Sequence, residues 1–268
     1  MIRESLLFHE LGNRKGKPLV ISHGWATDSL FTKPIAKLFP ERRILLLDLP
    51  GYGLNKSNKL NPIEDNFIDL FLSKIPNNCD LLSWSLSTLT AIKTCKFDYN
   101  KKIDSLITVC GAPRFPSDPT WPGFSSRYVI QTKALFTELK SKRLLRLFFM
   151  LQCQSPLNSD EVNSFLKEAS NKIDLPNFIT LKRGLTNMAD IDLREDLKHL
   201  NIPSLHLYGS QDHLVPAEQS LFLNKFLNKN HYFYIFKNSG HMPFLTEPDS
   251  FRKKLNIFFE MVKNKRIN

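Results

Sequence analysis

The sequence lacks the features that mark several protein classes. No apolar run approaches the roughly 18 residues of a membrane-spanning helix. The charged start, Met1-Ile2-Arg3-Glu4, is not followed by the apolar stretch of a signal peptide. The cysteines form no CxxC pair that would bind zinc or carry out redox chemistry; they are Cys79, Cys95, Cys110 and Cys153. We therefore expect a cytoplasmic monomer with reduced core thiols, no metal and no cofactor.

Acidic residues are too few to balance the basic ones. The chain has 37 Lys and Arg against 26 Asp and Glu, a net charge of +11. Such a field favours acidic partners, namely nucleic acid, an anionic lipid or an acidic protein. The alternative interpretation is an ordinary solvated surface, because the lysines are scattered along the chain. With 42% hydrophobic and 24% charged residues the chain is globular, which excludes a disordered, collagen-like or disulfide-stapled protein.

Short β-rich apolar runs alternate with amphipathic stretches of helical length. Alternation of this kind predicts an α/β fold with a mostly parallel central sheet flanked by helices. The runs at 44–47 and 105–109 are almost continuously apolar, so we expect them inside the sheet. The seven predicted strands are 6–11, 19–22, 44–48, 81–83, 105–110, 204–208 and 232–236, and the predicted helices include 63–75, 86–95, 217–227 and 251–262.

The alternation stops between about residues 111 and 190. This stretch follows a Pro-rich segment, contains no convincing strand and has a helical pattern. We therefore predict one core domain built from residues 1–110 and 191–268. Residues 111–190 would form a helical lid inserted in that core.

Ser85 is the candidate nucleophile. It lies between an apolar strand and a helical pattern, in the string Ser83-Trp84-Ser85-Leu86-Ser87. A sharp strand-to-helix turn with serine at its apex is the nucleophile-elbow arrangement, which lifts the hydroxyl clear of the sheet. The residues two before and two after the apex must be small, and here both are serine rather than the usual glycine.

A serine nucleophile needs a general base and an acid that orients it. Among the seven histidines, His241 is the best placed, in a Gly-bearing turn after the last strand. Asp212 follows the preceding strand and is the first candidate for the acid. Asp190 and Asp192 are weaker alternatives.

The oxyanion of the tetrahedral intermediate requires two fixed N–H donors. The backbone N–H of Leu86, directly after the nucleophile, is one candidate, and that of Trp25 is the other. His23 precedes the Trp25 turn and Asp48 follows the third strand. For both we predict that the side chain braces its loop.

The sequence of this chain resembles the α/β-hydrolase superfamily in these turns and along nearly its whole length. Within it the sequence is most similar to the pimeloyl-[acyl-carrier protein] methyl ester esterases of biotin synthesis. The strings that support the resemblance are Ser22-His23-Gly24-Trp25, Leu47-Asp48-Leu49-Pro50-Gly51-Tyr52-Gly53, Ser83-Trp84-Ser85-Leu86, Trp121-Pro122-Gly123, Phe148-Phe149-Met150-Leu151-Gln152, Asp192-Leu193-Arg194, Leu207-Tyr208-Gly209 and His241-Met242-Pro243-Phe244.

The resemblance implies a serine carboxylesterase that acts on a pimeloyl chain borne by acyl-carrier protein and releases methanol. Ser85, Asp212 and His241 would be catalytic, and Trp25 and Leu86 would hold the oxyanion. The lid residues implied to contact the acyl chain are Phe148, Phe149, Met150, Leu151 and Gln152. The chain departs from the family at Ser83 and at Ser87-Thr88, where glycines are usual.

A basic stretch in the predicted lid fits an acidic carrier protein. It contains Lys133, Lys140, Lys142, Arg143 and Arg146 against one acidic residue, Glu138. Charge complementarity accelerates encounter more than it adds affinity. We predict that Lys140, Lys142, Arg143 and Arg146 dock the carrier, although a solvated helix face has the same pattern.

Four alternative functions remain open on sequence alone. The same catalytic residues would serve a general short-acyl esterase or a carbon-carbon bond hydrolase. A non-catalytic ligand-binding member of the fold would be expected to lack one of Ser85, Asp212 or His241. Nucleic-acid binding fits the net charge, but the sequence contains no recognisable binding motif.

Overall fold

The computed structural model describes residues 5–125 and 160–267 of the chain. Their centre is a seven-stranded sheet of order β1-β3-β2-β4-β5-β6-β7. β1 pairs antiparallel with β3, and all other neighbouring strands are parallel. The strands are β1 (Phe8–Gly12), β2 (Pro18–Ser22), β3 (Arg43–Leu47), β4 (Cys79–Trp84), β5 (Ile103–Val109), β6 (Ser204–Gly209) and β7 (His231–Phe236).

Helices flank this sheet, and a short 3₁₀ turn spans Gly53–Asn55. α1 packs on β3, and α3 packs on β4 and β5. The helices are α1 (Ser29–Leu38), α2 (Asp65–Lys74), α3 (Ser87–Lys96), α4 (Asp160–Lys172), α5 (Phe178–Asp190), α6 (Arg194–Lys198), α7 (Gln219–Phe226), α8 (Pro243–Thr246) and α9 (Pro248–Ile267).

All seven predicted strands are present, with ends that differ by at most two residues from the apolar runs. β4 and β5 are buried along their whole length, and β3 is buried except at Arg43. Strands covered by helices on both faces consist almost entirely of apolar residues, which is why their runs are continuous. β3 and β5 have neighbours on both sides, as expected.

Two helices, α4 and α5, lie in the described part of the predicted lid. The Asn177 side chain accepts a hydrogen bond from the Thr180 N–H and so caps the start of α5. Arg183 of α5 donates to the Pro50 and Lys59 carbonyl oxygens. The Asn187 amide donates to Asn61 Oδ1. These bonds tie α5 to the segment that follows β3.

Residues 126–159 lie outside the described part of the chain. They include the residues predicted to contact the acyl chain, which are Phe148, Phe149, Met150, Leu151 and Gln152. They also include the predicted docking residues Lys140, Lys142, Arg143 and Arg146. Those assignments, and the division into core and lid, therefore stay predictions.

Within residues 5–125 and 160–267, none of the helices combines the length and the apolar composition that crossing a membrane would require.

Candidate active site

Ser85 is the apex of the turn between β4 and α3. Its φ is +60°, in the left-handed region that non-glycine residues rarely adopt. The Ser85 N–H donates to the Val109 carbonyl oxygen, and the Ser85 carbonyl accepts from the Thr88 N–H. These bonds hold the strained residue between the sheet and the start of α3. The geometry is that of a nucleophile elbow.

The hydroxyl groups of the two serines that stand in place of glycine take part in hydrogen bonds. The Trp84 N–H donates to Ser87 Oγ at 3.1 Å, and that hydroxyl lies 3.2 Å from the Ser22 carbonyl oxygen. Ser83 Oγ lies 3.2 Å from the Thr88 hydroxyl. The elbow therefore accommodates both side chains by giving their hydroxyls partners.

His241 joins Ser85 to Asp212. Its Nε2 lies 2.8 Å from Ser85 Oγ, and its Nδ1 lies 2.7 Å from Asp212 Oδ2. All three residues are buried. Because the ionised carboxylate only accepts, it favours the tautomer with the proton on Nδ1, which leaves Nε2 able to accept the serine proton.

Asp212 and His241 are held by two adjoining loops. Asp212 Oδ1 accepts from the Leu214 and Val215 N–H groups at 2.8 and 3.0 Å. The loops meet at Gly209, where an added Cβ would collide with the Gly240 carbonyl oxygen. The acid therefore faces the imidazole in a fixed orientation.

Trp25 lies beside the elbow. Its neighbour Ala26 has φ +58°, and a Cβ added at Gly24 would lie 3.1 Å from the Ser85 Cβ. The Trp25 indole N–H donates to the Leu181 carbonyl oxygen of α5 at 3.0 Å. The structure therefore brings the Trp25 turn against both the serine and α5. Leu86, the other predicted oxyanion residue, is the N-cap residue directly before α3 and has helical backbone angles.

His23 and Asp48 brace loops, as predicted. The His23 Nδ1–H donates to the Gly24 carbonyl at 2.7 Å, and Nε2 accepts from the Leu49 N–H at 3.0 Å. Burial lowers the pKa of His23 below its usual range. Asp48 accepts from the Ser29 and Leu54 N–H groups at 2.7 and 2.9 Å. His23 therefore connects the Trp25 turn to the loop after β3, and Asp48 connects the start of α1 to the same loop.

The weaker candidates lie elsewhere. Asp190 is exposed at the end of α5, and Asp192 pairs with Arg114 and Arg194. His213 is exposed. His206 is buried in β6, where its Nδ1 lies 2.9 Å from the Thr108 hydroxyl. None of these side chains hydrogen-bonds to the Ser85 or His241 side chain.

Sequence reasoning missed three residues that contact this centre. The Trp84 indole N–H donates to the His241 carbonyl at 2.9 Å. A Cβ added at Gly184 of α5 would lie 2.5 Å from Trp25 Cδ1. Cys110, expected only as a core thiol, lies beside Asp212 and His241. Its position directly after β5, at the same sheet edge as the other candidates, is the signal that could have revealed it.

Comparison with known proteins agrees with this architecture. A family profile for the alpha/beta hydrolase fold matches residues 17–248. A pimeloyl-[acyl-carrier protein] methyl ester esterase of Vibrio vulnificus is 33% identical over 249 residues, covering 91% of this chain and 94% of the relative.

Solved structures agree at the level of the fold. A bromoperoxidase from Bacillus anthracis has a TM-score of 0.81 at 18% identity, covering 94% of each chain. An esterase from Exiguobacterium antarcticum has a TM-score of 0.79 at 21% identity, covering 96% of this chain and 95% of the esterase. The chain therefore belongs to the α/β hydrolase fold family.

Proposed function

We propose that this protein is a serine carboxylesterase with Ser85, His241 and Asp212 as its catalytic residues. The observation that carries the proposal is the unbroken hydrogen-bond chain from Ser85 Oγ through the imidazole to the Asp212 carboxylate. A serine hydroxyl becomes a competent nucleophile when a positioned base takes its proton. The strained Ser85 backbone presents that hydroxyl beside the Trp25 turn.

In the proposed reaction, Ser85 Oγ attacks the ester carbonyl carbon while its proton moves to His241 Nε2. The Asp212 carboxylate stabilises the imidazolium that forms. The backbone N–H groups of Trp25 and Leu86 would hold the oxyanion. The intermediate collapses as His241 protonates the departing alkoxide. Water, deprotonated by His241, then hydrolyses the acyl-enzyme to the free carboxylate and regenerates Ser85.

The proposed substrate is pimeloyl-[acyl-carrier protein] methyl ester, which would give pimeloyl-[acyl-carrier protein] and methanol in biotin biosynthesis. The support is the relative of that name, whose likeness extends over 94% of its own length and 91% of this chain. We propose that Phe148, Phe149, Met150, Leu151 and Gln152 contact the acyl chain.

The test is complementation of a biotin-requiring bacterial strain that lacks its own pimeloyl methyl esterase. We expect the wild-type chain to restore growth without biotin and Ser85→Ala to fail at equal protein level. The purified protein should also prefer the carrier-bound methyl ester over free methyl esters and p-nitrophenyl esters. Failure to restore growth together with a preference for free short-acyl esters would instead favour a general esterase.

A further inference from the structure

Three metal-ligating side chains meet behind the serine. The Cys110 sulfur, an Asp212 carboxylate oxygen and a His241 ring nitrogen all lie within 4.8 Å of one another. This is the one such group of three found in residues 5–125 and 160–267. Each residue follows a neighbouring strand, β5, β6 or β7, so the sheet fixes their separation. The proposed ester hydrolysis assigns no role to the thiol.

We propose that this cluster is an inhibitory Zn²⁺ site formed by Cys110 Sγ, Asp212 Oδ2 and His241 Nδ1. Thiolate, carboxylate and imidazole are the ligands that zinc prefers in proteins, at about 2.3 Å for sulfur and about 2.0–2.2 Å for nitrogen and oxygen. Ligand atoms around a tetrahedral zinc ion at those bond lengths lie about 3.3–3.7 Å apart. The cluster therefore needs only small side-chain shifts to enclose the ion.

The existing contacts indicate where the ion fits. Asp212 Oδ1 is occupied by two backbone N–H groups, whereas Oδ2 faces His241 Nδ1 at 2.7 Å. Replacing that hydrogen bond by two metal bonds requires the two atoms to separate by less than about 1 Å. The Gly240 carbonyl oxygen lies 3.7 Å from Cys110 Sγ, a spacing that suits a fourth ligand.

Zinc at this position blocks the proposed general base. Coordination through His241 Nδ1 leaves the neutral imidazole with its proton on Nε2, which lies 2.8 Å from Ser85 Oγ. That nitrogen then has no lone pair to accept the serine proton. The thiol proton goes to solvent and the Nδ1 proton is replaced by one on Nε2. One proton is therefore released for each ion bound.

Metal binding is tested in the Ser85→Ala protein, so its outcome is independent of the proposed esterase activity. Co²⁺ serves as the spectroscopic probe, because thiolate coordination gives a charge-transfer band in the near ultraviolet. We expect one Co²⁺ per chain, with a thiolate band that Zn²⁺ displaces. Adding Cys110→Ser should remove the band and weaken Zn²⁺ binding at least tenfold, whereas Cys95→Ser and Cys153→Ser should retain both.

Inhibition is tested in the chain with Ser85 intact, on a p-nitrophenyl ester. Zn²⁺ should inhibit, and a chelator should restore the rate. The half-inhibitory Zn²⁺ concentration should rise at least tenfold in Cys110→Ser, with each variant compared with its own metal-free rate. Cys110→Ala is the second variant if the serine variant does not give the native circular dichroism spectrum. A thiolate band or an inhibitory concentration unchanged by loss of Cys110 overturns the proposal.

Discussion

At the residue scale, the proposed chemistry depends on which nitrogen of His241 carries the proton. The Asp212 carboxylate can only accept from Nδ1, whereas an amide can also donate to it and so favour the opposite tautomer. We expect Asp212→Asn to lower kcat by roughly 10³–10⁴-fold with little change in the folded structure. The measurement is steady-state hydrolysis of a p-nitrophenyl ester by variants with matching circular dichroism spectra.

Asp190→Asn is the matched control for this substitution. Asp190 is exposed at the end of α5, so the same chemical change there should leave kcat within about twofold of wild type. A large loss at Asp190 with activity retained at Asp212 would reassign the orienting acid.

The nucleophile itself is tested by covalent labelling. Ser85→Ala should abolish labelling by a fluorophosphonate and ester hydrolysis while the chain remains folded, because no hydroxyl is left beside His241 Nε2. The readout is fluorescence of the labelled protein in a denaturing gel, with Ser73→Ala, a serine on α2, as control. Retained labelling of Ser85→Ala would place the nucleophile on another residue.

The elbow serines make a prediction about stability. Ser87→Ala removes the hydroxyl that accepts from the buried Trp84 N–H, so we expect the free energy of unfolding to fall by about 1–2 kcal/mol. Denaturant unfolding measures the change. Ser73→Ala removes a hydrogen bond made by an exposed hydroxyl and should lower the free energy of unfolding far less. Equal losses in the two variants would contradict a bridging role for Ser87.

Individual residues of the centre differ in how far the sequence predicts them. Ser85, Asp212 and His241 each follow a strand that the apolar pattern reveals, so one sheet edge brings them together. Cys110 also follows such a strand, but the sequence pattern makes it a core thiol. Its nearness to Asp212 depends on β5 lying next to β6, and the pattern of runs does not specify strand order.

At the element scale, α5 supports the Trp25 turn. Gly184 packs so closely on Trp25 that a methyl group there would lie 2.5 Å from Cδ1 and 2.9 Å from Nε1 of the indole. We therefore expect Gly184→Ala to displace either the helix or the turn and to lower kcat at least tenfold, despite the higher helix propensity of alanine. Steady-state kinetics and denaturant unfolding measure the two effects.

Thr186→Ala is the control on the same helix. Thr186 is exposed, so alanine there raises helix propensity without approaching Trp25. A similar kcat in the two variants would show that close packing at Gly184 does not position the Trp25 turn.

Strands are predicted better than helices in this chain, for a physical reason. Buried strands are short continuous apolar runs, whereas the helical pattern of α1 is interrupted by Pro34. The Asp28 carboxylate accepts from the Leu30 N–H and so caps its start. Phe31 and Ile35 bury one face of α1. Tertiary packing therefore outweighs the local signal against a helix.

At the scale of the whole molecule, buried histidines couple stability to pH. His206 and His231 stack with Nε2 and Nδ1 3.0 Å apart, and burial lowers the pKa of both below the usual range. Burial also lowers the pKa of His23. As pH falls, the unfolded chain binds protons on these histidines before the folded chain does. The neutral histidines therefore favour the folded state above about pH 6.5, and this contribution to stability is lost as pH falls further. Asp28 opposes the trend, because burial raises its pKa to about 6.

The three histidines lower stability as pH falls, and only Asp28 among the groups named opposes them. We therefore expect the free energy of unfolding to fall by at least ~1 kcal/mol between pH 7 and pH 5. Denaturant unfolding at several pH values measures it. His206→Phe should flatten the dependence, and the exposed control His213→Asn should not. A dependence left unchanged by His206→Phe would rule out the stacked pair as a source.

The net positive charge leads to a testable prediction about the basic stretch of the predicted lid. If the basic stretch docks an acidic carrier protein, Arg143→Glu with Arg146→Glu should lower kcat/KM for the carrier-bound methyl ester at low salt. The same pair should spare p-nitrophenyl esters, which carry no acidic protein. Added salt should narrow the difference between wild type and variant, because it screens the encounter.

The matched control carries the same change in net charge on α9. Arg252→Glu with Lys253→Glu reverses two exposed basic residues of that helix. A local docking surface predicts that only the lid pair slows the carrier-bound substrate. If both pairs slow it equally, the diffuse charge of +11 acts as a whole and no lid patch is needed. If the lid pair slows both substrates equally, its residues act on the active site and not on the carrier.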